Sequence, residues 1–394
     1  MSKNSRLTDM LTPLAGQRSK RQPEIEFQEY DPRKLSLEFE HEWAALELRA
    51  LEPNIYLSPH FVLAALQHLD AEQKPLILAL FGHYSGKKTL LAVCLFSLSP
   101  ARKNFPLTHL VAYKSAHSYI GGMLIDAQFA EQTLTALFEY LTQPGASWHG
   151  IRFDDMIGKG PTAQMCMRIA AISGVSWHLI YSYERAVLCP TNLTDAAVKA
   201  SVDAAGGKDI ARRVRRLKEV GEFKARTLWG KEITDEAIEN FLALEDRQWT
   251  RESGTSLLAS GDGPFFRQLC QALRDESRIF IYELTINGAP IASAVNFISV
   301  SQGFAFKIGW EQKYAKMSPG IINELEFMRD IASNQRGLSQ IDSGATAGSF
   351  IEKIWPNRTT IASGIFVTSR RGKLAMQFIE FARLVKNKLH KYRK

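Results

Sequence analysis

The feature that most constrains this chain is an order of elements that occurs twice. Read by hydrophobic period and turn residues, the first half predicts helices over 40–50 and 59–69, then strands over 75–81 and 89–96 around the turn Gly82-His83-Tyr84-Ser85-Gly86. A helix over 131–141 follows, with Leu134, Leu137, Phe138 and Leu141 on one face, then a strand over 147–153, a helix over 162–172 and strand residues over 175–188. The second half predicts helices over 234–249 and 264–275 and strands over 278–285 and 290–300 joined by Asn287-Gly288. Asn-Gly is a strong hairpin signal because both residues tolerate positive φ. A strand over 303–310, a helix over 319–333 and a strand over 338–342 complete the order. Helix pair, hairpin, strand, helix, strand, read twice, argues for two α/β domains of one ancestry. The break falls near 189–205, where Pro190, Asn192, Asp195 and then Gly206-Gly207 interrupt the pattern. Order alone carries the repeat, without a residue-by-residue copy. The organisation expected is a loose polar arm over 1–34, a domain over 35–190, a second over 191–370 and a basic helix over 371–394.

The 394 residues are enough for two such domains, and 45% hydrophobic with 23% charged residues is ordinary globular composition. Disordered, collagen-like and disulfide-scaffold chains are excluded. No secretory signal is visible, and the apolar runs 76–81 and 90–96 fall far short of the ~20 residues that span a bilayer. The four cysteines, Cys94, Cys166, Cys189 and Cys270, show no metal spacing and read as small buried apolar residues. HExxH, GxSxG and the phosphate loop GxxxxGK[ST] are absent, so no metal is expected. A cytoplasmic protein follows as the expectation. Eight of nine histidines lie between His41 and His178 and the ninth is His390. A site wholly inside the second half must therefore draw its acid or base from other residue types.

A net charge of +8 favours an anionic ligand without choosing one. Five constellations could carry chemistry. From Gly303 a strand runs through Phe306, Lys307 and Ile308 into Lys313, Lys316, Met317, Ser318, Pro319 and Gly320. Ser318 suits a helix N-cap, Pro319 the first helical position, and Gly320 a close approach to backbone. A helix start of this kind holds anions, although most capped helices hold none. The run 211–226 places Arg212, Arg215 and Arg216 near one helix face with Arg213 beside them, and can grip phosphate or simply be a solvated face. Glu245 lies four residues before Trp249, a setting that can raise a carboxylate's pKa, yet it can equally pair with a surface cation. Asp342 ends a strand, as a functional acid or as a turn cap, ahead of a segment 350–355 that could fold back over the same edge. His117 sits in a Ser/Gly-rich loop and is a natural base near neutral pH or a structural histidine.

The series Leu244-Glu-x-x-x-Trp249, Gly254-Thr255, Phe265-Phe266, Leu284-x-x-Asn287-Gly288-x-Pro290-Ile291-Ala292, Phe306-Lys307, Ser318-Pro319-Gly320 and Asp342 with Lys353-x-Trp355 resembles the cellulose-biosynthesis-type acetyltransferase branch of the GNAT superfamily. That branch is similar to the Fem-type aminoacyl transferases. The likeness spans roughly 39–366, is densest from 212 to 355, and in the first half rests on Tyr56-Leu57-Ser58-Pro59 and His117-Ser118-Tyr119. It implies two tandem GNAT-like domains, each a mixed, mostly antiparallel sheet flanked by helices. It implies acetyl-CoA or another acyl-CoA between splayed strands, with pyrophosphate on the helix start Met317–Ile321 and contacts from Phe306, Lys307, Ile308, Lys313 and Lys316. The common GNAT loop Q/R-x-x-G-x-G/A is replaced here by a loop with one glycine, Gly320. The reaction implied is direct attack on the thioester, with Glu245, Asp342 or His117 as base and Arg213, Arg216, Trp249 and Lys353 on substrate. The acceptor expected is a small molecule or glycan, such as a sugar, a polysaccharide precursor or a lipid-linked intermediate. Two other readings stand beside this one. One is a Fem-like transferase using aminoacyl-tRNA, the sole case in which nucleic acid is a partner. The other is a non-catalytic scaffold docking on a membrane assembly. The motive for peripheral membrane association is the last helix, whose Leu374, Phe378, Phe381, Leu384, Val385 and Leu389 form a stripe before a run of basic residues. Covering a core is the commoner use of such a stripe.

Overall fold

The computed structural model describes residues 25–84, 86–249, 256–334 and 336–391, with backbone alone at 249 and 382–391. The arm up to residue 24, the Gly254-Thr255 pair, the Trp249 side chain and the basic side chains beyond 381 lie outside the described residues.

Each half opens with a strand and a helix pair. In the first, β1 (Ile25–Tyr30) precedes α1 (Leu37–Leu48) and α2 (Pro59–His68), followed by β2 (Leu76–Tyr84) and β3 (Lys87–Ser99). Then come β4 (His109–Ala112), β5 (Leu124–Ile125), α3 (Ala130–Leu141), β6 (Gly150–Ile157), α4 (Pro161–Ile172) and β7 (Ser176–Leu188). Two helices, α5 (Asp195–Ala204) and α6 (Lys208–Val220), lead into the second half. There β8 (Phe223–Trp229) precedes α7 (Asp235–Trp249) and α8 (Gly263–Asp275), followed by β9 (Ile279–Ile286) and β10 (Ala289–Ser299). After these come β11 (Gln302–Trp310), α9 (Pro319–Asn334), β12 (Gln340–Asp342), β13 (Asn357–Val367) and α10 (Arg370–Lys391).

Local chemistry explains the boundaries. Ser36 and Ser58 accept the N–H groups of Phe39 and Phe61 at 3.2 Å each, which caps α1 and α2. Asn287 (φ 50°) and Gly288 (φ 80°) close β9 onto β10 in a two-residue turn, with Ile286 opposite Ala289. Four expectations change. Residues 25–30 of the supposedly loose arm pair with β2, burying Ile25 and Phe27 in part against the first-half core. β2 runs through Gly82 to Tyr84, residues expected in the turn. The basic run is helical only to Val220, so Lys224 and Arg226 belong to β8. α10 turns Met376 onto Ile365 and Val367 but leaves Leu374, Phe378 and Phe381 at 67%, 73% and 65% exposure, so those three side chains of the stripe cover no core.

Among the described residues the strands form one sheet in the order β1-β2-β3-β4-β6-β13-β7-β12-β11-β10-β9-β8, with β5 against β3. All pairings are antiparallel except β4 with β6 and β11 with β12. When each strand is exchanged for its counterpart in the other half, the order reads the same from both edges, about a centre between β13 and β7. The closing strands are swapped: β13 lies against β6 of the first half, and β7 against β12 of the second. The sheet thus crosses the limit between halves. Helix α2 adds to this by inserting Phe61 against Phe265 of α8, with ring centroids 5.2 Å apart. Glu47 of α1, fully buried, is bound by Arg278 just before β9 and by Ser299 at the end of β10. Among the described residues no helix is long and apolar enough to cross a membrane.

Candidate active site

The parallel pair β11–β12 is where the sheet opens. Only Gln302, Gly303 and Phe304 have partners on β12, opposite Gln340, Ile341 and Asp342. Just beyond, Phe306 is an extra residue against β10, since Val295 faces Lys307 while Asn296 faces Ala305. Such a bulge bends its strand and raises local twist, so β11 swings away from β12. The chain after β12 closes the gap. Gly344 sits at φ +65°, and a Cβ there would lie 2.5 Å from the Tyr119 ring and 2.8 Å from the Ala305 carbonyl oxygen. A short 3-10 turn, Phe350–Lys353, and Trp355 then fold back over this edge, leaving a cavity of about 100 Å³. Ala305, Phe306, Lys307 and Ile308 of β11 line it together with Val295 of β10, Glu324 of α9 and Trp355.

Helix α9 begins beside this cavity. Ser318 adopts a left-handed backbone (φ 51°, ψ 55°), and its carbonyl accepts the Ile322 N–H at 3.1 Å, so it holds the N-cap position. Its hydroxyl accepts from Arg213 of α6, which also pairs with Asp209. Pro319 and Gly320 are buried, and the surface of Gly320 meets the Trp310 indole, whose Cδ1 would be 3.1 Å from an added Cβ. The close approach expected of a ligand at Gly320 is made here by Trp310. Met317 and Ile321 are half-buried against the core under α9. Lys313 is exposed and lies over the Tyr314 ring at 5.0 Å, and Lys316 is exposed. Arg216 and Lys353 are also exposed and line no part of the cavity.

The three base candidates part company. Glu245, on α7, is 1% exposed; its Oε2 accepts the Leu257 N–H at 2.9 Å, and its Oε1 lies 3.6 Å from Lys307 Nζ with no hydrogen bond. Burial pushes its carboxyl above the usual range, partly offset by the Leu257 N–H and Lys307. His117 reaches across from the first half, stacks on Phe265 (5.8 Å), packs edge-on to Phe306 (5.9 Å) and binds Asp262 at 2.8 Å. Burial lowers its pKa despite Asp262, and the Lys307 charge lowers it further. Lys307 thus joins Glu245 to the cavity it lines, and His117 meets the same wall through Phe306. Asp342 stands apart. It is 3% exposed, ion-paired with Arg185 of β7 at 3.2 Å and bonded to the Gly344 N–H at 2.7 Å. It lines a different cavity of about 330 Å³, shared with Glu52 and Gly160 of the first half. Its place is a buried brace between β12 and the swapped β7. Among the described residues no cluster of three or more His, Cys, Asp or Glu side chains could hold a metal.

Three comparisons with known proteins bear on this arrangement. Residues 206–350 match the acetyltransferase (GNAT) domain family. A search of the curated proteins found no match. Among solved structures, FemX superposes with a TM-score of 0.55 at 11% identity, covering 90% of this chain and all of FemX. The C-terminal domain of a putative lysylphosphatidylglycerol synthetase from Agrobacterium fabrum gives 0.50 at 9% identity, covering 88% and 96% of the two chains. A conserved protein of unknown function from Bacteroides thetaiotaomicron gives 0.50 at 11% identity, covering 86% and 100%. At these identities the likeness establishes the fold: two GNAT-like halves around one mostly antiparallel sheet.

Sequence reasoning missed candidates in both halves. Glu324 stands on the buried face of α9, in line with Gly320, Phe327, Met328 and Ile331. A carboxylate at 3.6-residue spacing inside an apolar stripe was a visible signal. Arg185 and Tyr119 had no such signal, because their positions depend on the strand exchange and on a first-half loop reaching the second half.

Proposed function

We propose that this chain is an acyl-CoA-dependent N- or O-acyltransferase. The observation that supports it most is the β11 bulge, which opens the sheet into a pocket directly beside the start of α9. The donor's pyrophosphate would lie at residues 317–321, where helix N–H groups and the partial positive charge of the helix end favour an anion, with Arg213 held nearby by Ser318. Its thioester arm would run past Ile308 and Lys307 into the cavity. The acceptor, a small molecule or glycan, would approach from the side of His117 and Glu245. As its nitrogen or oxygen bonds the thioester carbonyl carbon, the N–H or O–H proton passes to Glu245. The C–S bond then breaks, and CoA leaves as the thiol with that proton. Beyond Phe304, β11 has no β12 residue opposite it, so its backbone N–H groups on that side are the donors available to the oxyanion.

Calorimetric titration with acetyl-CoA tests the reading. Saturable binding that weakens in Arg213→Ala, with the melting curve unchanged, supports it, and absence of binding by CoA or any CoA thioester sinks it. A Fem-type reading draws on the exposed Arg212, Arg215 and Arg216 of α6, and a tRNA arm in the same titration separates it. Peripheral membrane association is proposed through α10, where the exposed Leu374, Phe378 and Phe381 lie beside exposed Arg370 and Arg371. Co-sedimentation with anionic vesicles that persists after Phe378→Ser and Phe381→Ser would reject that role.

A further inference from the structure

The seam between the halves holds a cavity of about 330 Å³ that shares no lining residue with the donor cavity. Ile120, Ile157 and Phe304 give it apolar walls, and Gln302, Gln340 and Thr359 add amides and a hydroxyl. Two carboxyls also line it. Asp342 is answered by Arg185 and by the Gly344 N–H. Glu52 is not. Among the described residues it forms no ion pair, and its one hydrogen bond is from the Thr162 N–H to Oε2 at 3.4 Å. Gly160 makes room for this carboxyl, since a Cβ there would lie 2.0 Å from Oε2. Capping the start of α4 thus occupies one oxygen and leaves Oε1 without a hydrogen bond. Lys159 lines the same cavity with an exposed side chain and makes no ion pair with Glu52. Glu52 keeps part of its surface, so a molecule in the cavity can reach it. Its surroundings still push its carboxyl up to about 7 by desolvation, with only the Thr162 N–H opposing. Carboxylates taken out of water ordinarily have a cation beside them, and this one has none.

We infer that this cavity binds a small polar molecule carrying a primary ammonium, with Glu52 as its counter-ion and Gln302, Gln340 and Thr359 on its other polar groups. An ammonium gives the carboxylate the cation that the fold withholds. A phosphate or carboxylate would meet Glu52 with like charge, and an apolar molecule would leave the amides unanswered. At ~30 Å³ per water-sized group the space takes about ten non-hydrogen atoms, which is one sugar-sized or amino-acid-sized unit. Both halves supply wall residues, so the occupant touches both and stabilises the folded chain in proportion to its affinity. Neither Glu245 nor Lys307 lines this cavity, and the inference does not rest on the acyltransferase reading.

The experiment titrates two matched pairs into the full chain by calorimetry: glucosamine against glucose, and 1,5-diaminopentane against 1,5-pentanediol. The same titrations are run on Glu52→Gln, on Glu52→Asp, which withdraws the carboxylate by one methylene, and on Glu245→Gln. Melting curves show which variants are folded. At least one amine should bind the native chain roughly tenfold or more tightly than its neutral mate. Glu52→Gln should abolish that preference and Glu52→Asp reduce it, while Glu245→Gln and saturating acetyl-CoA leave it unchanged. Amines that bind no better than their mates, or that keep their preference in Glu52→Gln, overturn the inference. A preference lost in Glu245→Gln or under acetyl-CoA overturns it too, because the ammonium would then sit at the acceptor wall or in the donor cavity.

Discussion

Replacing Glu324 by Gln should change how stability depends on pH, and the sign follows from where the carboxyl sits. Burial pushes its pKa from the usual 4.5 up to about 7, with Trp355 pulling it partly back. Between those values the folded chain holds a proton that the unfolded chain has released, so this group's contribution to stability falls as pH rises. The penalty is absent below 4.5 and complete above 7. At roughly 1.4 kcal/mol per pH unit it amounts to about 3 kcal/mol at pH 8. Gln has nearly the same shape and does not titrate. Its own burial cost is independent of pH and offsets the whole curve by about 1–3 kcal/mol without tilting it. Glu52, pushed up to about 7 by burial, is common to both proteins and cancels in the difference. Urea unfolding of native and Glu324→Gln chains from pH 5 to 8.5 should give curves that diverge by about 3 kcal/mol, the variant gaining relative to native as pH rises. Curves that stay parallel across that range would refute the argument, because the carboxyl would then sit in water or beside an unrecognised cation.

Three further outcomes follow from single contacts. Gly344→Ala forces a Cβ into a left-handed backbone against the Tyr119 ring and the Ala305 carbonyl, so urea denaturation should show a loss of about 2–4 kcal/mol, and a neutral result would mean the 343–349 loop is not held as described. Glu245→Gln should lower kcat by roughly 100-fold or more with little change in KM for the acyl-CoA, and the acid limb of the native pH–rate profile, placed above the ordinary Glu range, should vanish; an unchanged limb would move the base elsewhere. Arg278→Met strands Glu47 in the core between the halves and should cost about 3–5 kcal/mol, whereas adding Glu47→Leu should recover much of it; equal losses in the single and double variants would show that the pair does not act as a unit.

How far the sequence could be read depended on whether a feature was local. The β9–β10 hairpin was legible because Asn287-Gly288 is its own instruction, and α2 because Ser58-Pro59 is. β1 escaped because its apolar residues, Ile25 and Phe27, stand among charges in a polar arm, and pairing with β2 decides their state. β13 escaped because Ile361 to Val367 are buried continuously, so the period-two signal of a half-exposed strand is absent. Its position between β6 and β7 joins residues as distant as Ile157 and Ile361, which no window can see. At the site, Phe306, Lys307 and Ile308 were found on motif order, and the structure sets them on the cavity wall. The family resemblance offered Asp342 as an alternative base to Glu245 or His117, and the swapped strand supplies Arg185 to Asp342, which lines a separate cavity. A strand-end carboxylate looks alike in sequence whether it faces a substrate or a buried arginine.

The two halves share a plan but differ at equivalent helix starts. In the second half, Ser318 brings no charge to the start of α9, and it draws in Arg213. In the first half the segment ahead of α3 begins with Asp126, 4% exposed, which accepts the Gln128 N–H at 2.8 Å and pairs with Arg49 at 2.6 Å. That carboxylate caps the short 3-10 turn Ala127–Phe129 that leads into α3. The first half instead sends His117 and Tyr119 over the bulge of β11, and through β7 it supplies the arginine that holds Asp342. On the proposed reading the second half holds the donor cleft, and the first half builds the wall that faces the acceptor.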